Sequence, residues 1–439
     1  MTIGIRREDK NQWERRVPLV PDDVATLRDR HDLDVVVQTS PIRVFGDVEY
    51  EAVGARIVPD LRTADVILAV KEIPVAELEP GKTYLYFSHT IKGQAYNMPM
   101  LRHLLDVGAT LIDYERIADE QNRRLIFFSL HAGYAGAVET LVALAARLEN
   151  EGIATPLGEL RHAYEYGSLG EVQEHLRRIG ARIRSEGLWA LERPLVIGVA
   201  GYGNVARGCA AILDCLPVTE VTPAELAAAA EGDVAGRGPL LKVTFREEDM
   251  VRPRSDEAQF VLQDYYQRPE NYRGVFERHL PHLDALLNTI YWTDAYPRLV
   301  TKKWVRANFG PDRSPRLRVI GDISCDIGGS IEVTLKAPMP DAPCYVYDPE
   351  TDTVADGVVG PGPVVMSVDN LPCELPRESS LHFSSVLGAM VPALAQADYA
   401  VGFEALHLPP HLKKAVICHR GELAPGYRYL QEHLDKAGR

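Results

Sequence analysis

Lys71 and His89 each stand at the close of a largely apolar run, Val66–Val70 before the lysine and Thr83–Phe87 before Ser88 and the histidine. Short runs of this kind, bounded by Pro and Gly, predict buried strands of a parallel sheet. A buried strand has no packing use for a cation or an imidazole at its end. Neighbouring parallel strands would bring both to one carboxyl edge, where open α/β sheets hold their ligands. An amine and an imidazole facing one cleft make a proton-transfer pair for work near neutrality. Glu72 adjoins Lys71, and the sequence leaves open whether burial lowers the lysine's pKa or the carboxylate raises it.

Arg16, Lys92, Gln94, Glu115, Arg123 and Arg124 fall in or beside loops at expected strand ends of the same region. Arginine pairs bidentately with carboxylate, so the set suits a substrate carrying several carboxylates. Lys and Arg number 48 against 62 Asp and Glu, a net charge of −14. That balance argues against nucleic acid as a partner, and it would make a local basic pocket selective. With 439 residues, 46% hydrophobic and 25% charged, the chain reads as a soluble protein of two domains. It carries no apolar run of membrane-spanning length and no leader-like apolar region, so no membrane partner is expected and the cytoplasm is the expected compartment. Six scattered cysteines without a CxxC pair predict reduced thiols and no metal site.

The elements that must position these residues alternate. Strands are expected over Thr2–Arg6, Val35–Gln38, Arg56–Val58, Thr110–Asp113 and Leu125–Phe128. Helices are expected from Pro21-Asp22-Asp23, around Tyr50–Ala52 and over Met98–Val107. This βαβα order implies a parallel sheet with helices on both faces. Apolar positions at helical spacing from Gly136 to Glu149 predict a long helix leaving the first domain, with connecting material including a helix over Leu169–Ile179. A second sheet follows, with strands at Leu195–Ala200, Val218–Val221, Leu241–Phe245, Ala285–Tyr291 and Leu317–Ile320. The tail from about Leu381 reads as helices without a sheet of their own, packing back on the first domain.

Gly201-Tyr202-Gly203-Asn204-Val205-Ala206 follows the apolar strand Leu195–Ala200 and opens a helix. That is the context the GxGxxA dinucleotide fingerprint requires. The glycines allow a tight turn and close approach of a pyrophosphate, and the helix amino terminus offers it free N–H groups. Val218–Val221 is taken as the second strand. Its end, Val221-Thr222, lacks an acid for ribose hydroxyls, since Glu220 comes early, and this favours NADP(H) over NAD(H).

The segments GIRREDKNQWERRVPLVP, AVKEIP, YFSHTIKGQAYNMPML, LIDYERI, GYGNVARG, LPVTEVTPAEL, GDISCDIGGSIE and VDNLPCELPRESS run in order through most of the chain. Together they resemble the lysine–2-oxoglutarate reductase (saccharopine dehydrogenase, lysine-forming) family, and more distantly the alanine dehydrogenase/transhydrogenase fold. The resemblance implies an α/β protein of two Rossmann-like doubly wound parallel-sheet domains with a cleft between them. Residues 1–135, completed by 376–439, would form the substrate domain, and 136–375 the NAD(P)-binding domain with connecting helices. It implies reversible reductive condensation of the lysine side-chain amine with 2-oxoglutarate to give saccharopine. Lys71 and His89 match the family's acid–base groups. Arg16, Gln94, Arg124 and Phe128 match substrate positions and Arg123 a cofactor contact. Ile290-Tyr291-Trp292 matches a strand end flanking substrate and nicotinamide, and Asp322-Ile323-Ser324 the nicotinamide-side loop. Glu72 or Glu115 would stabilise a cationic imine.

Leu157–Tyr166 departs from the family's pattern, and the chain ends at Arg439 without the saccharopine-cleaving half. Two alternatives therefore stand beside the leading one. One is an opine-type or amino-acid dehydrogenase using another amine or keto acid. The other is a non-catalytic nucleotide-sensing subunit, against which the joint presence of Lys71, His89 and GxGxxA argues. A homo-oligomer is compatible with either enzyme reading.

Overall fold

Apolar runs punctuated by Pro and Gly become strands throughout the computed structural model, which describes residues 1–188, 191, 193–232, 238–310, 313 and 315–437. The chain divides into two units, Met1–Phe128 with Pro376–Arg439, and Ser129–Leu375. Each is built on an eight-stranded, mostly parallel sheet flanked by helices. No described helix is long and apolar enough to cross a membrane.

In the first unit β1 (Thr2–Ile5), β2 (Asp34–Gln38), β3 (Arg56–Val58), β4 (Val66–Leu68), β5 (Thr83–Tyr86) and β6 (Thr110–Asp113) run parallel in the order β6-β5-β4-β1-β2-β3. Helices α1 (Pro21–His31), α2 (Asp47–Ala52) and α3 (Met98–Asp106) connect them. α1 starts as the sequence dictates, on Pro21 with Asp22 and Asp23 in its first turn. The tail does more than the sequence suggests. Besides its helices, it adds Val416–His419 antiparallel to β6, with Glu422–Leu423 outside that. Its helix Pro376–Gly388 is tied to the loop before α1, where Val17 N–H donates to Ser380 Oγ (3.0 Å) and Val20 N–H to Ser384 Oγ (2.8 Å).

Leu125–Phe128 is not a strand. After an isolated bridge between Ala118 and Arg124, Ile126 enters the core, while Phe127 and Phe128 pack on His382 and Phe383 of the tail helix. Those aromatic contacts draw the segment off the sheet.

The second unit begins with α4 (Ser129–Asn150) and α5 (Leu169–Glu186). Its strands are β7 (Leu195–Ala200), β8 (Val218–Val221), β9 (Leu240–Phe245), β10 (Val251–Pro253), β11 (Tyr272–Gly274), β12 (Ala285–Asn288), β13 (Val319–Asp322), β14 (Cys344–Asp348), β15 (Thr353–Asp356) and β16 (Val364–Met366). The main sheet has the order β15-β14-β16-β13-β12-β7-β9-β8, and β10 and β11 form a separate antiparallel ribbon. Among the described strands of the main sheet, β14 runs against the others, pairing antiparallel with both β16 and β15. α6 (Asn204–Leu213) follows β7 and lies close against α4. A Cβ on Gly133 would fall 2.1 Å from the Val205 carbonyl oxygen, and one on Gly208 2.2 Å from that of Leu130. β12 stops at Asn288, three residues before the expected Tyr291. There Asn288 Nδ2 turns to Asp322 Oδ1 and Ser330 Oγ, each at 2.8 Å.

Candidate active site

β4 and β5 are parallel neighbours, paired from Val66↔Thr83 to Leu68↔Leu85. Lys71 and His89 therefore leave the sheet at adjacent carboxyl ends. His89 turns the chain out of β5 with a left-handed φ of 49°, which histidine tolerates better than most residues. Asn97 Nδ2 fixes that turn by donating to the carbonyls of Ser88 (3.1 Å) and His89 (3.3 Å).

Glu72 is the residue that joins the pair. Its Oε1 lies 2.5 Å from His89 Nδ1, and its Oε2 accepts from Lys10 Nζ at 3.3 Å. With Nδ1 engaged, the ring's chemistry is left to Nε2. Burial works to raise the Glu72 pKa, but the hydrogen bond and charge of His89 more than offset it and bring it down to about 2. Glu72 is thus ionised at any working pH. A carboxyl depressed on folding stabilises the native state above its unfolded value near 4.5, and that contribution is lost as pH falls toward 2. Replacing Glu72 with Gln should cost stability at pH 7 and much less at pH 3, as read by denaturant unfolding. A gap equal at both pH values would refute the pairing.

Lys71 is half-buried, and its pKa is lowered by burial first and by the Arg16 charge second, against the opposing pull of Glu14 and Glu72. That resolves the question the sequence left open. Its backbone N–H donates to Glu8 Oε2 (3.0 Å) and that of Val70 to Glu8 Oε1 (2.7 Å). Burial and the neighbouring Glu14 push the Glu8 carboxyl up to about 7. At the end of β6, Asp113 accepts from the Ser88 hydroxyl and from Glu115 N–H (2.7 Å), and burial raises it to about 6. One sheet edge thus carries an ionised carboxylate and two carboxyls that titrate near neutrality. Environments that push like groups apart are the mark of acid–base sites.

Arg16 is buried and holds Glu14 with both arms, Nε to Oε1 at 2.7 Å and Nη2 to Oε2 at 2.5 Å. Its guanidinium stacks 4.3 Å from the Phe128 ring centroid. Phe128 leans on Phe87 (5.9 Å), which stacks with His89 (6.4 Å). Arg16, Phe128, Lys71, Glu72 and His89 are therefore one constellation. Glu115 joins Arg124 at 3.6 Å beside it. Gln94 leaves a buried Oε1 without a hydrogen-bond partner. Lys92 is exposed, and Arg123 is exposed and turned onto Asp119 (2.8 Å), so neither is drawn into the constellation. Glu8 and Glu14 escaped the sequence reading, because nothing in REDKNQWERR distinguishes a buried carboxylate from a solvated one, and Asp113 passed as the last residue of an apolar strand.

In the second unit Gly201, Tyr202 and Gly203 line a cavity of about 480 Å³ together with Glu247, Tyr265, Tyr266, Ile290 and Tyr291. Gly201 has φ 106°, and a Cβ there would meet Thr289 Oγ1 at 2.7 Å. Around the Cβ position of Gly203 the space is open, as a close approach of a pyrophosphate to the backbone needs. Asn204 and Val205 begin α6 directly behind the turn. Ser324 Oγ donates to the Ile290 carbonyl (2.6 Å), joining the two loops expected at the nicotinamide. Behind them Asp322, raised by burial to about 6, accepts from Asn288 and from Thr334 (2.6 Å), and Ile323 packs under Gly136. Trp292 turns away from the cavity lining, its Nε1 donating to the Tyr296 carbonyl (3.0 Å). Thr222 caps onto Glu225 (2.7 Å) at the end of the outermost strand, β8.

Residues 4–135 match the family described as alanine dehydrogenase/PNT, N-terminal domain. Over 98% of its length the chain is 36% identical to an alpha-aminoadipic semialdehyde synthase of Arabidopsis thaliana, of which it covers 41%. It is 27% identical over 87% of its length to a saccharopine dehydrogenase (NAD(+), L-lysine-forming) of Neurospora crassa, covering 88% of that protein. The chain spans less than half the length of the synthases it matches. Among solved structures, an L-alanine dehydrogenase shares the fold, with a TM-score of 0.62 and 21% identity over 99% of this chain and all of that one. The resemblance drawn from the motifs is borne out. The chain's similarity to a saccharopine dehydrogenase agrees with the oxidoreductase reading of its motifs.

Proposed function

We propose that this chain, a homologue of saccharopine dehydrogenases and alpha-aminoadipic semialdehyde synthases, condenses the side-chain amine of lysine or a close analogue with 2-oxoglutarate and reduces the product to saccharopine, reversibly. The observation that carries this reading is the pairing of Lys71, an amine of lowered pKa, with a carboxylate-anchored His89 on adjacent strand ends. The reaction needs that combination. A substrate ammonium must lose a proton before it can attack a ketone, and the carbinolamine oxygen must gain one before it leaves as water.

In this reading Lys71, its pKa lowered by burial and by the Arg16 charge, takes the proton from the substrate amine. His89, its Nδ1 held by Glu72, delivers a proton from Nε2 to the departing oxygen. Gln94 and Arg124 receive the substrate's carboxylates, Phe128, braced by the Arg16 guanidinium, walls the site, and Glu72 and Glu115 supply negative charge toward a cationic imine. A bound reduced nicotinamide dinucleotide supplies the hydride that completes the reaction. Gly201, Tyr202, Gly203, Asn204 and Val205 would hold its pyrophosphate, with Ile290, Tyr291 and Asp322–Ser324 toward its nicotinamide. The open backbone at Gly203 and the cavity beside it fit such a group. NADP(H) is the preferred form, and the first unit is the substrate side.

The test is oxidation of NADPH and NADH with 2-oxoglutarate against lysine, ammonia and a panel of amines. Turnover with lysine or a lysine-like amine is expected. Turnover with ammonia alone would sink the reading, and dinucleotide binding without turnover would favour a sensor.

A further inference from the structure

The strand order of the second unit moves the place where an adenosine ribose would be read. In doubly wound sheets the 2′ position of that ribose faces the end of the strand adjoining the glycine-loop strand. Here that neighbour is β9, paired with β7 from Leu195↔Leu240 to Ala200↔Phe245. β8 comes next in sequence but lies one strand further out, so Thr222 is displaced from the role its sequence position suggested. Gly201 N–H donates to the Phe245 carbonyl at 3.0 Å. The residue after Phe245 therefore stands beside the glycine turn, and it is Arg246.

We propose that Arg246 reads a ribose 2′-phosphate and makes the second unit select NADP(H) over NAD(H); the inference rests on the dinucleotide reading above. The Arg246 side chain is exposed, with its guanidinium 4.8 Å from the centroid of the Tyr202 ring. Among the described residues no carboxylate pairs with it. The acid beside it is differently placed. Glu247 lines the cavity and accepts from Tyr266 Oη at 2.6 Å and, more weakly, from Tyr202 Oη at 3.4 Å. An NAD-selective site needs a carboxylate available to the ribose hydroxyls. This one presents an unneutralised cation beside the glycine turn, while the nearest acid has one oxygen, Oε1, engaged by phenols. The planar guanidinium, braced on the Tyr202 ring, can offer parallel N–H donors to a phosphate.

Adenosine 2′,5′-bisphosphate and adenosine 5′-monophosphate, titrated calorimetrically into the full chain, isolate this contact from catalysis. The native chain should bind the bisphosphate roughly 10- to 100-fold tighter, the range that hydrogen bonds to a charged group supply. Arg246→Ala should abolish that preference while leaving monophosphate affinity unchanged, and Arg246→Lys should keep part of it. Equal affinities in the native chain, or a preference that survives Arg246→Ala, would overturn the assignment and leave the dinucleotide reading intact. Failure of both probes to bind the native chain would overturn both.

Discussion

Lys71→Met should lower turnover by about 10²- to 10⁴-fold, the range that a positioned acid or base contributes, while dinucleotide affinity stays nearly unchanged. Methionine keeps the length and apolar bulk of the side chain, so β4 and the Glu8 contacts to the backbone of Val70 and Lys71 should persist. What disappears is an amine whose pKa burial and Arg16 hold down. Lowering that pKa makes the free amine easier to reach than it is for an exposed lysine. His89→Gln should produce a loss of similar order. The two losses should be much less than additive in the double variant if the residues serve one proton path. Steady-state dinucleotide oxidation gives the rates, and quenching of nicotinamide fluorescence gives the affinity. Near-native rates in both single variants would remove the pair from the mechanism.

The legible part of this site is the part written in strand chemistry. A lysine and a histidine at the ends of apolar runs stand out because burial gives them no packing purpose, and β4 and β5 are parallel neighbours. Glu72 was visible beside Lys71, but its partner is across the sheet edge. Spacing along the chain does not disclose that a carboxylate next to one strand end anchors the imidazole of another. Glu14 and Arg16 lie two positions apart in a segment whose composition reads as a solvated loop, yet both are buried. The tail's strand Val416–His419 pairs with β6 across some three hundred residues, and no local pattern announces such a partner. The order of the strands around the glycine turn is hidden for the same reason. Sequence order made β8 the second strand, whereas the sheet inserts β9 between it and β7.

Arg16→Met should be strongly destabilising, costing about 3–5 kcal/mol, because it removes the cation from a buried ion pair with Glu14. Glu14 would keep its position with neither arm of the guanidinium on it, and Phe128 would lose the cation stacked on its face. Glu14→Gln should cost less, for an identifiable reason. The Glu14 charge is one of the causes that push Glu8 up to about 7. Removing it lets Glu8 ionise more readily and restore negative charge near Arg16. The two variants should also act on Lys71 in opposite senses. Arg16 lowers the lysine's pKa and Glu14 raises it, so the acid limb of the pH–rate profile should move to higher pH in Arg16→Met and to lower pH in Glu14→Gln. Chemical denaturation measures the first effect, and kcat against pH the second. Equal destabilisation by both variants would mean that Glu8 cannot take up the role of Glu14. Acid limbs shifting in the same direction would mean that the ion pair does not set the charge state of Lys71.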